Sequence, residues 1–220
     1  MAARYVAIIM DGNARWARRR GLPLLAGHRA GARALKRTVR NSVRAGIEEL
    51  TVYAFSTENW TRPTAEVRGL MAMFGELIES ETRELRDEGV RMVFVGRREE
   101  VSGTLRKRME WAESETASNS RMTLFVAFNY GGRAEILDAA RRFDGGGEEE
   151  FARCLYAPGM NDPELLIRTS GERRLSNFLL WQSAYSELVF SDALWPDFDS
   201  EHLEGALHEY AARERRFGKR

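Results

Sequence analysis

The sequence predicts an α/β fold: a single domain with a mostly parallel sheet of about six strands surrounded by helices. Six short runs rich in β-branched and aromatic residues recur along the chain, and segments with helical spacing separate them. The runs are apolar nearly throughout, which is typical of strands buried on both faces of a parallel sheet. The chain has 220 residues, which suits one domain with a full core, so we take residues 1–220 as that domain.

The six runs predict the strands, and their ends predict where function lies. They are "YVAIIM" at 5–10, "ELTVYAF" at 49–55, "VRMVFVG" at 90–96, "MTLFVAF" at 122–128, "ELLIR" at 164–168 and "ELVF" at 187–190. In open parallel sheets, ligands bind beyond the carboxyl ends of the strands. Residues that directly follow these runs are therefore the first candidates for a functional site.

Helical spacing is clearest at residues 67–78, where apolar side chains recur at i, i+3 and i+4. This face is either ordinary core or the wall of a tunnel for an apolar ligand. Residues 29–45 and 200–216 are rich in Ala, Glu and Arg and also predict helices, the second with a start signal at 199–200. The glycine-rich acidic run at 144–150 predicts a flexible surface loop.

Composition limits the classes of function and compartment. The formal net charge is only +1 although 30% of the residues are charged, which argues against nucleic acid as a partner. The single cysteine, Cys154, excludes an intrachain disulfide and fits a reducing compartment. No stretch approaches the roughly 20 apolar residues that span a bilayer, and no signal peptide is recognisable. We expect a cytoplasmic protein, for which peripheral contact with a membrane surface remains open.

The first motif, "DGNAR", directly follows the first predicted strand. Gly12 lets the backbone approach a ligand closely, and Asn13 can cap the following helix or bind the ligand. The first turn of that helix and Arg15 would favour a phosphate. Asp11 would repel a phosphate unless a hard cation such as Mg²⁺ bridges them. The alternative is a capping aspartate beside surface arginines.

The second motif, "IRTSGERRLSNF", follows the fifth predicted strand. Arg168, Arg173 and Arg174 surround a glycine turn together with Ser176, a set that suits the many acceptor oxygens of a diphosphate. These arginines would repel one another without an anion. Ion pairs with Glu172 and with neighbouring helices are the alternative.

The third motif, "FSTENWTRP", follows the second predicted strand. Ser56, Glu58, Asn59, Trp60 and Arg62 form a polar and aromatic loop that could close over a site, or that could be structural.

Two single residues are weaker candidates. Glu187 could be a second metal carboxylate, and His28 could cap or line the first site. The chain lacks the HExxH, paired-cysteine zinc, P-loop and GxSxG patterns, so the chemistries of those motifs lose support. Two phosphate-binding motifs, a metal carboxylate and an apolar helix face together indicate substrates with diphosphate heads and hydrocarbon tails.

The sequence closely resembles the cis-prenyltransferase family of the undecaprenyl diphosphate synthase type. The matching stretches are "IIMDGNARWA", "GH" at 27–28, "YAFSTENWTRP", "NYGGR" at 129–133, "DPELLIRTSGERRLSNFLLWQSAYSEL", "LWPDF" and the terminal "RERRFG". They cover nearly the whole chain in the family's order. The resemblance implies a homodimer with a hydrophobic tunnel beneath the strand ends, which condenses isoprenoid diphosphate substrates with the help of Mg²⁺.

The resemblance also implies a role for each motif. For the allylic diphosphate and the metal, Asp11 and Glu187 resemble the Mg²⁺ carboxylates, and the binding residues are Gly12, Asn13, Arg15, Trp16 and His28. For isopentenyl diphosphate, the matching residues are Arg168, Arg174, Ser176 and the terminal Arg216 and Gly218, which would act across the dimer. The mobile catalytic loop matches Ser56, Glu58, Asn59 and Trp60, with Arg62 as a further substrate-binding candidate, and Asn13 and Ser56 would relay the departing proton.

The chain departs from the family pattern at three places. The family usually has an arginine four residues before the histidine of "GH", where this chain has Leu24, and it usually has a glycine where this chain has Ala14. Residues 144–163 form a shorter segment than is typical. Losing one charged hydrogen bond, worth roughly 1.5–3 kcal/mol, would weaken or reshape the allylic site.

Three hypotheses follow for the function. The first is regular head-to-tail condensation with isopentenyl diphosphate. The second is irregular head-to-middle condensation, as in lavandulyl-type relatives, with dimethylallyl diphosphate as the attacking alkene. The third is a non-catalytic partner subunit of a heteromeric synthase, which the presence of Asp11, Arg168 and Arg174 disfavours.

Overall fold

The computed structural model describes residues 3–213, which contain one six-stranded sheet in the order β3-β4-β2-β1-β5-β6. The strands β1 and β5, β5 and β6, and β3 and β4 pair in parallel. The predicted α/β fold is confirmed, because every strand lies within two residues of its predicted run. The strands are β1 (Tyr5–Ile9), β2 (Glu49–Ser56), β3 (Val90–Val95), β4 (Met122–Tyr130), β5 (Leu165–Arg168) and β6 (Glu187–Phe190).

Seven α-helices occur among the described residues. They are α1 (Asn13–Arg19), α2 (Leu24–Arg44), α3 (Thr64–Asp87), α4 (Gly103–Thr116), α5 (Gly132–Ala140), α6 (Glu148–Ala152) and α7 (Ser200–Ala212). Helix α2 begins five residues before its predicted start, immediately after Pro23, because proline is well tolerated at the start of a helix. Within residues 3–213, no helix is both long and apolar enough to cross a bilayer.

The starts of α7 and α6 test two of the sequence predictions. Asp199 caps α7, since its carboxylate accepts a hydrogen bond from His202 N–H at 3.2 Å. The predicted flexible loop at 144–150 is wrong in its second half, because α6 begins there. Three glutamates occupy the first turn of α6, where the helix dipole favours negative charge, and Gly147 N–H donates to Glu150 at 2.9 Å.

The chain forms two compact units. The first unit comprises residues up to Leu50, Asp162–Arg174 and residues from Gln182 onward; the second comprises Thr51–Asn161 and Leu175–Trp181. The assignment of residues 1–220 to one catalytic domain stays a prediction.

In the first unit, two glycines of α2 let that helix approach the start of α1. A Cβ on Gly27 would lie 2.1 Å from the backbone oxygen of Asn13, and one on Gly31 would lie 2.3 Å from Asn13 Oδ1. The indole N–H of Trp195 donates to the Gly31 carbonyl at 2.9 Å. At Gly27 a Cβ would collide with backbone, and at Gly31 it would displace the Asn13 side chain, so this packing fixes where α1 begins relative to α2.

In the second unit, the apolar face of α3 packs into an aromatic core. Phe74 makes edge contacts with Phe55 and Phe128 at centroid distances of 6.3 and 4.9 Å, and Phe55 stacks on Phe128 at 5.4 Å. Val67, Leu70, Met73 and Ile78 are buried on the same helix. The predicted helix is confirmed, and the hydrocarbon tunnel stays a prediction.

Gly27→Ala should destabilise the protein, because the new Cβ meets backbone that cannot move without shifting α1. We expect the free energy of unfolding to fall by about 1–3 kcal/mol in urea denaturation. Gly205→Ala is the matched control, since Gly205 is also helical and has no atom within 4 Å of a built Cβ. That change should leave stability equal or raise it by up to about 1 kcal/mol. Equal stabilities for the two variants would contradict the packing argument.

Candidate active site

Asp11 lies directly beyond β1, and its backbone is held by the neighbouring strand. Asp11 N–H donates to Thr169 Oγ1 at 2.9 Å, and that hydroxyl donates to the Asp11 carbonyl at 2.7 Å. Trp195 N–H donates to the same carbonyl at 3.0 Å. Because Thr169 directly follows β5, the parallel pairing of β1 with β5 determines where the Asp11 carboxylate lies.

Two arginines converge on one oxygen of this carboxylate. Arg168, the last residue of β5, is only 4% exposed and places Nη2 at 3.0 Å from Asp11 Oδ2. Its Nη1 donates to the carbonyl of Arg174. Arg15, in the first turn of α1, lies 3.7 Å from the same Asp11 oxygen. Asp11 therefore balances a buried cation and a half-buried one at the carboxyl end of the sheet.

The turn after β5 connects these arginines to a second carboxylate. Ser170 and Gly171 both have left-handed backbones, with φ of 75° and 74°. Arg15 donates to the Ser170 carbonyl at 2.9 Å and also to its hydroxyl. Glu172 lies 3.2 Å from Arg15 and pairs with Arg174. The ion pairs to Glu172 that the sequence left open as an alternative are therefore formed.

The charges in this group favour an anion. Three arginines, Arg15, Arg168 and Arg174, face two carboxylates, Asp11 and Glu172, so the contacting set carries one excess positive charge. The side chains of Arg15 and Arg174 are 35% and 60% exposed. A diphosphate offers several charged acceptor oxygens and could take the place of Glu172 on both guanidinium groups.

The "DGN" turn differs from the prediction in one respect. Gly12 is the N-cap residue of α1, with φ of 111° and no side-chain cap, so of the two roles left open for Asn13 the structure excludes capping of this helix. Asn13 is instead the first helical residue, and its buried Oδ1 faces Gly31. The indole N–H of Trp16 donates to Asp197 at 2.7 Å, so this polar group is occupied within the protein.

The first turn of α2 lies beside this turn. Gly27 packs against the backbone of Asn13, and Leu24, three residues earlier on the same helix face, is 37% exposed. His28 follows Gly27 and is half-buried. An exposed leucine thus occupies the position where the resemblance leads one to expect an arginine.

In the second unit, Ser56 ends β2 and begins a short 3₁₀ turn, Thr57–Thr61, which we call the 57–61 turn. Ser56 N–H donates to Asn59 Oδ1 at 3.1 Å. Trp60 Nε1 donates to Asn129 Oδ1 at 2.7 Å. The predicted loop is therefore an ordered, capped turn in this structure.

Glu58 belongs to this turn and is mostly exposed. Its Oε1 accepts a hydrogen bond from Asn177 Nδ2 at 2.7 Å. Burial raises the pKa of the Glu58 carboxyl, but hydrogen bonds from Asn177, from its own backbone, and from Ser56 and Thr57 lower it, and the net pKa is below the usual value. Glu58 is therefore held as a carboxylate near neutral pH.

Two further predicted site residues of the second unit are Arg62 and Ser176. Arg62 follows the 57–61 turn and pairs with Glu66 at 3.1 Å. Ser176 is exposed with a left-handed φ of 47°. Tyr53 stacks on Phe178 at 4.5 Å, below the turn that carries Ser176.

Glu187 is not brought together with Asp11 in this chain. It begins β6 opposite Leu165, whereas Arg168, at the Asp11 end, lies opposite Phe190. Three residues of strand separate these levels, about 10 Å. Glu187 accepts from Arg213 at 2.8 Å. Among residues 3–213, no group of three His, Cys, Asp or Glu side chains could hold a metal ion.

Two predicted features of the site are not tested by the structure. Arg216 and Gly218 lie outside the described residues. Asn13 belongs to the first unit and Ser56 to the second, and their role as a proton relay stays a prediction.

Sequence reasoning missed several residues that position the candidates. They are Thr169 and Ser170, which hold Asp11 and Arg15, and Asn129 and Asn177, which hold the 57–61 turn. The signal for the first pair was available, because two hydroxyl residues directly follow the strand-end arginine in "RTSGE". The asparagines both lie in stretches that match the family, "NYGGR" and "RRLSNF", but the resemblance gave them no role.

Comparison with known proteins decides the family. The sequence model of the family described as "Putative undecaprenyl diphosphate synthase" matches residues 9–218. The chain belongs to the undecaprenyl diphosphate synthase family. The isoprenyl transferase of Thermotoga maritima is 51% identical to this family member, over 97% of this chain and 96% of that protein.

Two further proteins are similar to this chain, one in sequence and one in structure. The ditrans,polycis-undecaprenyl-diphosphate synthase ((2E,6E)-farnesyl-diphosphate specific) of Xanthomonas axonopodis pv. citri is 47% identical, over 98% of this chain and 88% of that protein. The crystal structure of lavandulyl diphosphate synthase from Lavandula x intermedia, in complex with dimethylallyl diphosphate, superposes with a TM-score of 0.96 at 33% identity over 99% of both chains. The undecaprenyl diphosphate synthase family member described here is thus a cis-prenyltransferase, as its resemblance implied.

Glu172→Gln should strengthen the binding of inorganic pyrophosphate. The carboxylate competes with an anion for Arg15 and Arg174, and glutamine removes that competing charge. We expect affinity in titration calorimetry to rise severalfold, in proportion to about 1 kcal/mol for a partly exposed pair. Glu115→Gln is the control, since Glu115 pairs with Arg86 at the same 3.2 Å on another surface. Weaker or unchanged binding by the Glu172 variant would contradict the competition.

Proposed function

We propose that this cis-prenyltransferase condenses an allylic prenyl diphosphate with isopentenyl diphosphate and releases diphosphate. The observation that carries the proposal is the excess of arginine over carboxylate around Asp11, at the carboxyl ends of β1 and β5. A leaving diphosphate needs stabilisation of this kind as negative charge develops on it. The names of the most similar relatives, isoprenyl transferase and undecaprenyl-diphosphate synthase, support the same reaction.

In the proposed binding mode, the first unit supplies the groups that hold diphosphate. Gly12 and Arg15, with His28 nearby, would bind the allylic diphosphate. Gly12 permits the turn that carries them, since its φ is 111° and a Cβ there would lie 3.0 Å from Leu194 Cδ2. Arg168 and Arg174 would bind isopentenyl diphosphate. The roles of Ser56, Asn59 and Ser176 remain those that the resemblance implies.

The chemistry assigned to these residues is electrostatic. Arg15 and its neighbours neutralise the allylic diphosphate as its bond to carbon lengthens. As the allylic C–O bond breaks, the alkene of isopentenyl diphosphate forms a bond to the allylic carbon. A proton then leaves the new chain, and the released diphosphate is its eventual acceptor. Arg168 is held rigidly by Asp11 and by the carbonyl of Arg174, so its charge needs little reorganisation during the reaction.

We also propose Mg²⁺ as the cofactor, with Asp11 as its protein ligand. Arg15 and Arg168 both contact Oδ2 of Asp11. The ion pairs given for residues 3–213 do not involve Oδ1, which could therefore bind the metal ion. One carboxylate together with substrate phosphates is a usual ligand set for Mg²⁺. When bound, Mg²⁺ would neutralise part of the diphosphate charge and improve it as a leaving group.

A second candidate function is head-to-middle condensation with dimethylallyl diphosphate as the attacking alkene. Leu24 favours it, because an apolar side chain beside the "DGN" turn alters how an allylic diphosphate is held. The structural similarity to lavandulyl diphosphate synthase also favours it. The higher identity to isoprenyl transferases favours the first function.

We propose that the enzyme works as a cytoplasmic homodimer that contacts the membrane peripherally.

Product analysis tests the proposed function. With Mg²⁺, isopentenyl diphosphate and either farnesyl or dimethylallyl diphosphate, we expect a linear extended product, and with dimethylallyl diphosphate alone none. A branched product from dimethylallyl diphosphate alone would favour the second function, and no product from any pairing would favour a non-catalytic subunit. Asp11→Asn should lower turnover about 100-fold or more, with circular dichroism confirming the fold. Near-normal turnover would remove Asp11 from the mechanism.

Leu24→Arg should tighten binding of the allylic substrate. The side chain is exposed at the first turn of α2, so an arginine there can reach a diphosphate held beside Gly12 without being buried. We expect the KM for the allylic diphosphate to fall about tenfold, the lower value for one charged hydrogen bond. Leu22→Arg is the control, because Leu22 is similarly exposed but precedes the helix. An equal effect of both changes would show that only general charge matters.

A further inference from the structure

The side chain and backbone of Asn177 join three parts of the second unit. Its Nδ2 donates to Glu58 Oε1 at 2.7 Å, in the 57–61 turn. Its Oδ1 accepts from Arg133 N–H at 2.8 Å, and its carbonyl accepts from Gly132 N–H at 2.7 Å, both at the start of α5. Asn177 therefore caps α5 and holds the 57–61 turn with the same amide group.

A second contact holds the other end of the turn. Trp60 donates to Asn129, which is fully buried and also donates to the Arg97 carbonyl at 2.9 Å and to Glu100 at 3.1 Å. The Asn129 contact is therefore fixed within the core. The Glu58 contact lies at the surface, where it can break without exposing buried groups.

The backbone conformations at Gly131 and Asn177 allow the Asn177 side chain to approach the 57–61 turn. A Cβ on Gly131 would lie 2.6 Å from Thr57 Oγ1 and 2.8 Å from Asn177 Nδ2. Asn177 itself has a left-handed φ of 65°, a conformation that asparagine tolerates better than most residues. The glycine and the left-handed asparagine together bring the amide within reach of Glu58.

We propose that Asn177 is a positioning residue for prenyl transfer: it sets where Glu58 and the 57–61 turn lie by tying them to the start of α5. The proposal rests on the proposed function, in which this turn takes part in catalysis. Asn177 directly follows Ser176, so a diphosphate bound at Ser176 would act on the position of the turn through the adjacent residue. Asn177 acts through Glu58 and needs no substrate contact of its own.

Asn177→Asp separates the two roles of this side chain, which are to cap α5 and to hold Glu58. An aspartate oxygen can still accept from Arg133 N–H, and negative charge is favourable at the start of a helix, so the cap on α5 remains. The NH₂ donor toward Glu58 is replaced by a second carboxylate oxygen. The variant should therefore fold and release only the 57–61 turn.

The turnover of Asn177→Asp should depend on pH in a way that a structural role would not produce. At neutral pH two carboxylates face each other, and we expect kcat to fall roughly ten- to a hundredfold with a smaller change in KM. Two carboxylates that share a site raise the apparent pKa of one of them. As the pH falls, one proton restores an O–H···O hydrogen bond, so the ratio of variant to wild-type kcat should rise.

A double substitution tests the contact itself. In Asn177→Asp combined with Glu58→Gln, the glutamine amide can donate to the aspartate, which restores the hydrogen bond with reversed polarity. The double variant should match Glu58→Gln alone, and its kcat relative to Glu58→Gln should not change with pH. Additive losses would overturn the proposal.

Amide hydrogen exchange gives a readout that does not require turnover. Exchange within residues 57–61 should accelerate in Asn177→Asp and stay normal at α5. Asn119→Asp is the control, since Asn119 donates to the carbonyls of Arg86 and Val90 at the other end of the strands. Unchanged exchange in the turn, or equal effects of the two variants, would overturn the proposal. If wild-type protein transfers no prenyl group, the proposed function fails and the catalytic role of Asn177 falls with it, while exchange separately decides whether Asn177 holds the turn.

Discussion

The ion pair between Asp11 and Arg168 is the interaction on which the candidate site depends. Arg168 is almost completely buried, and a buried guanidinium group without a negative partner is strongly destabilising. The parallel pairing of β1 with β5 places both residues at one edge, and Thr169 fixes the Asp11 backbone from both sides. The pair thus links local stability to the proposed chemistry, because the charge that Asp11 holds at the strand ends is the charge that would receive a diphosphate.

The excess of arginine at this edge is tolerated because Glu172 occupies the place of an anion. Glu172 contacts the two more exposed guanidinium groups, those of Arg15 and Arg174, while Asp11 serves the buried one. Exposed ion pairs contribute little to stability, so exchanging Glu172 for a diphosphate costs little. In the proposed reaction, a site arranged in this way would keep its positive charge paired between turnovers and would still offer it to a substrate with more acceptor oxygens.

The sequence was sufficient for the sheet and for the main site residues, because both depend on local pattern. Apolar runs marked each strand, and the residues that followed them, Asp11 and Arg168, do lie at one edge. It was insufficient where a partner lies far along the chain. Asn177 and Glu58 are 119 residues apart, and no periodicity links them. The sequence also left open whether Asn13 caps α1 or binds a ligand. Its side chain turns toward a glycine of α2 instead of capping α1, and only the packing of two helices shows this.

Backbone strain in the described residues is concentrated where the candidate site needs it. A left-handed conformation costs an ordinary residue roughly 1–2 kcal/mol, and it persists only where surrounding contacts enforce it. Arg15 enforces it at Ser170, and hydrogen bonds to α5 enforce it at Asn177. The non-glycine residues with positive φ in residues 3–213 are Asn129, Ser170, Ser176, Asn177 and Leu179. Ser176 is itself a predicted site residue, and Asn129, Ser170 and Asn177 hydrogen-bond to one, whereas Leu179 does neither. Strain at these four positions accompanies the contacts that hold Arg15 and the 57–61 turn.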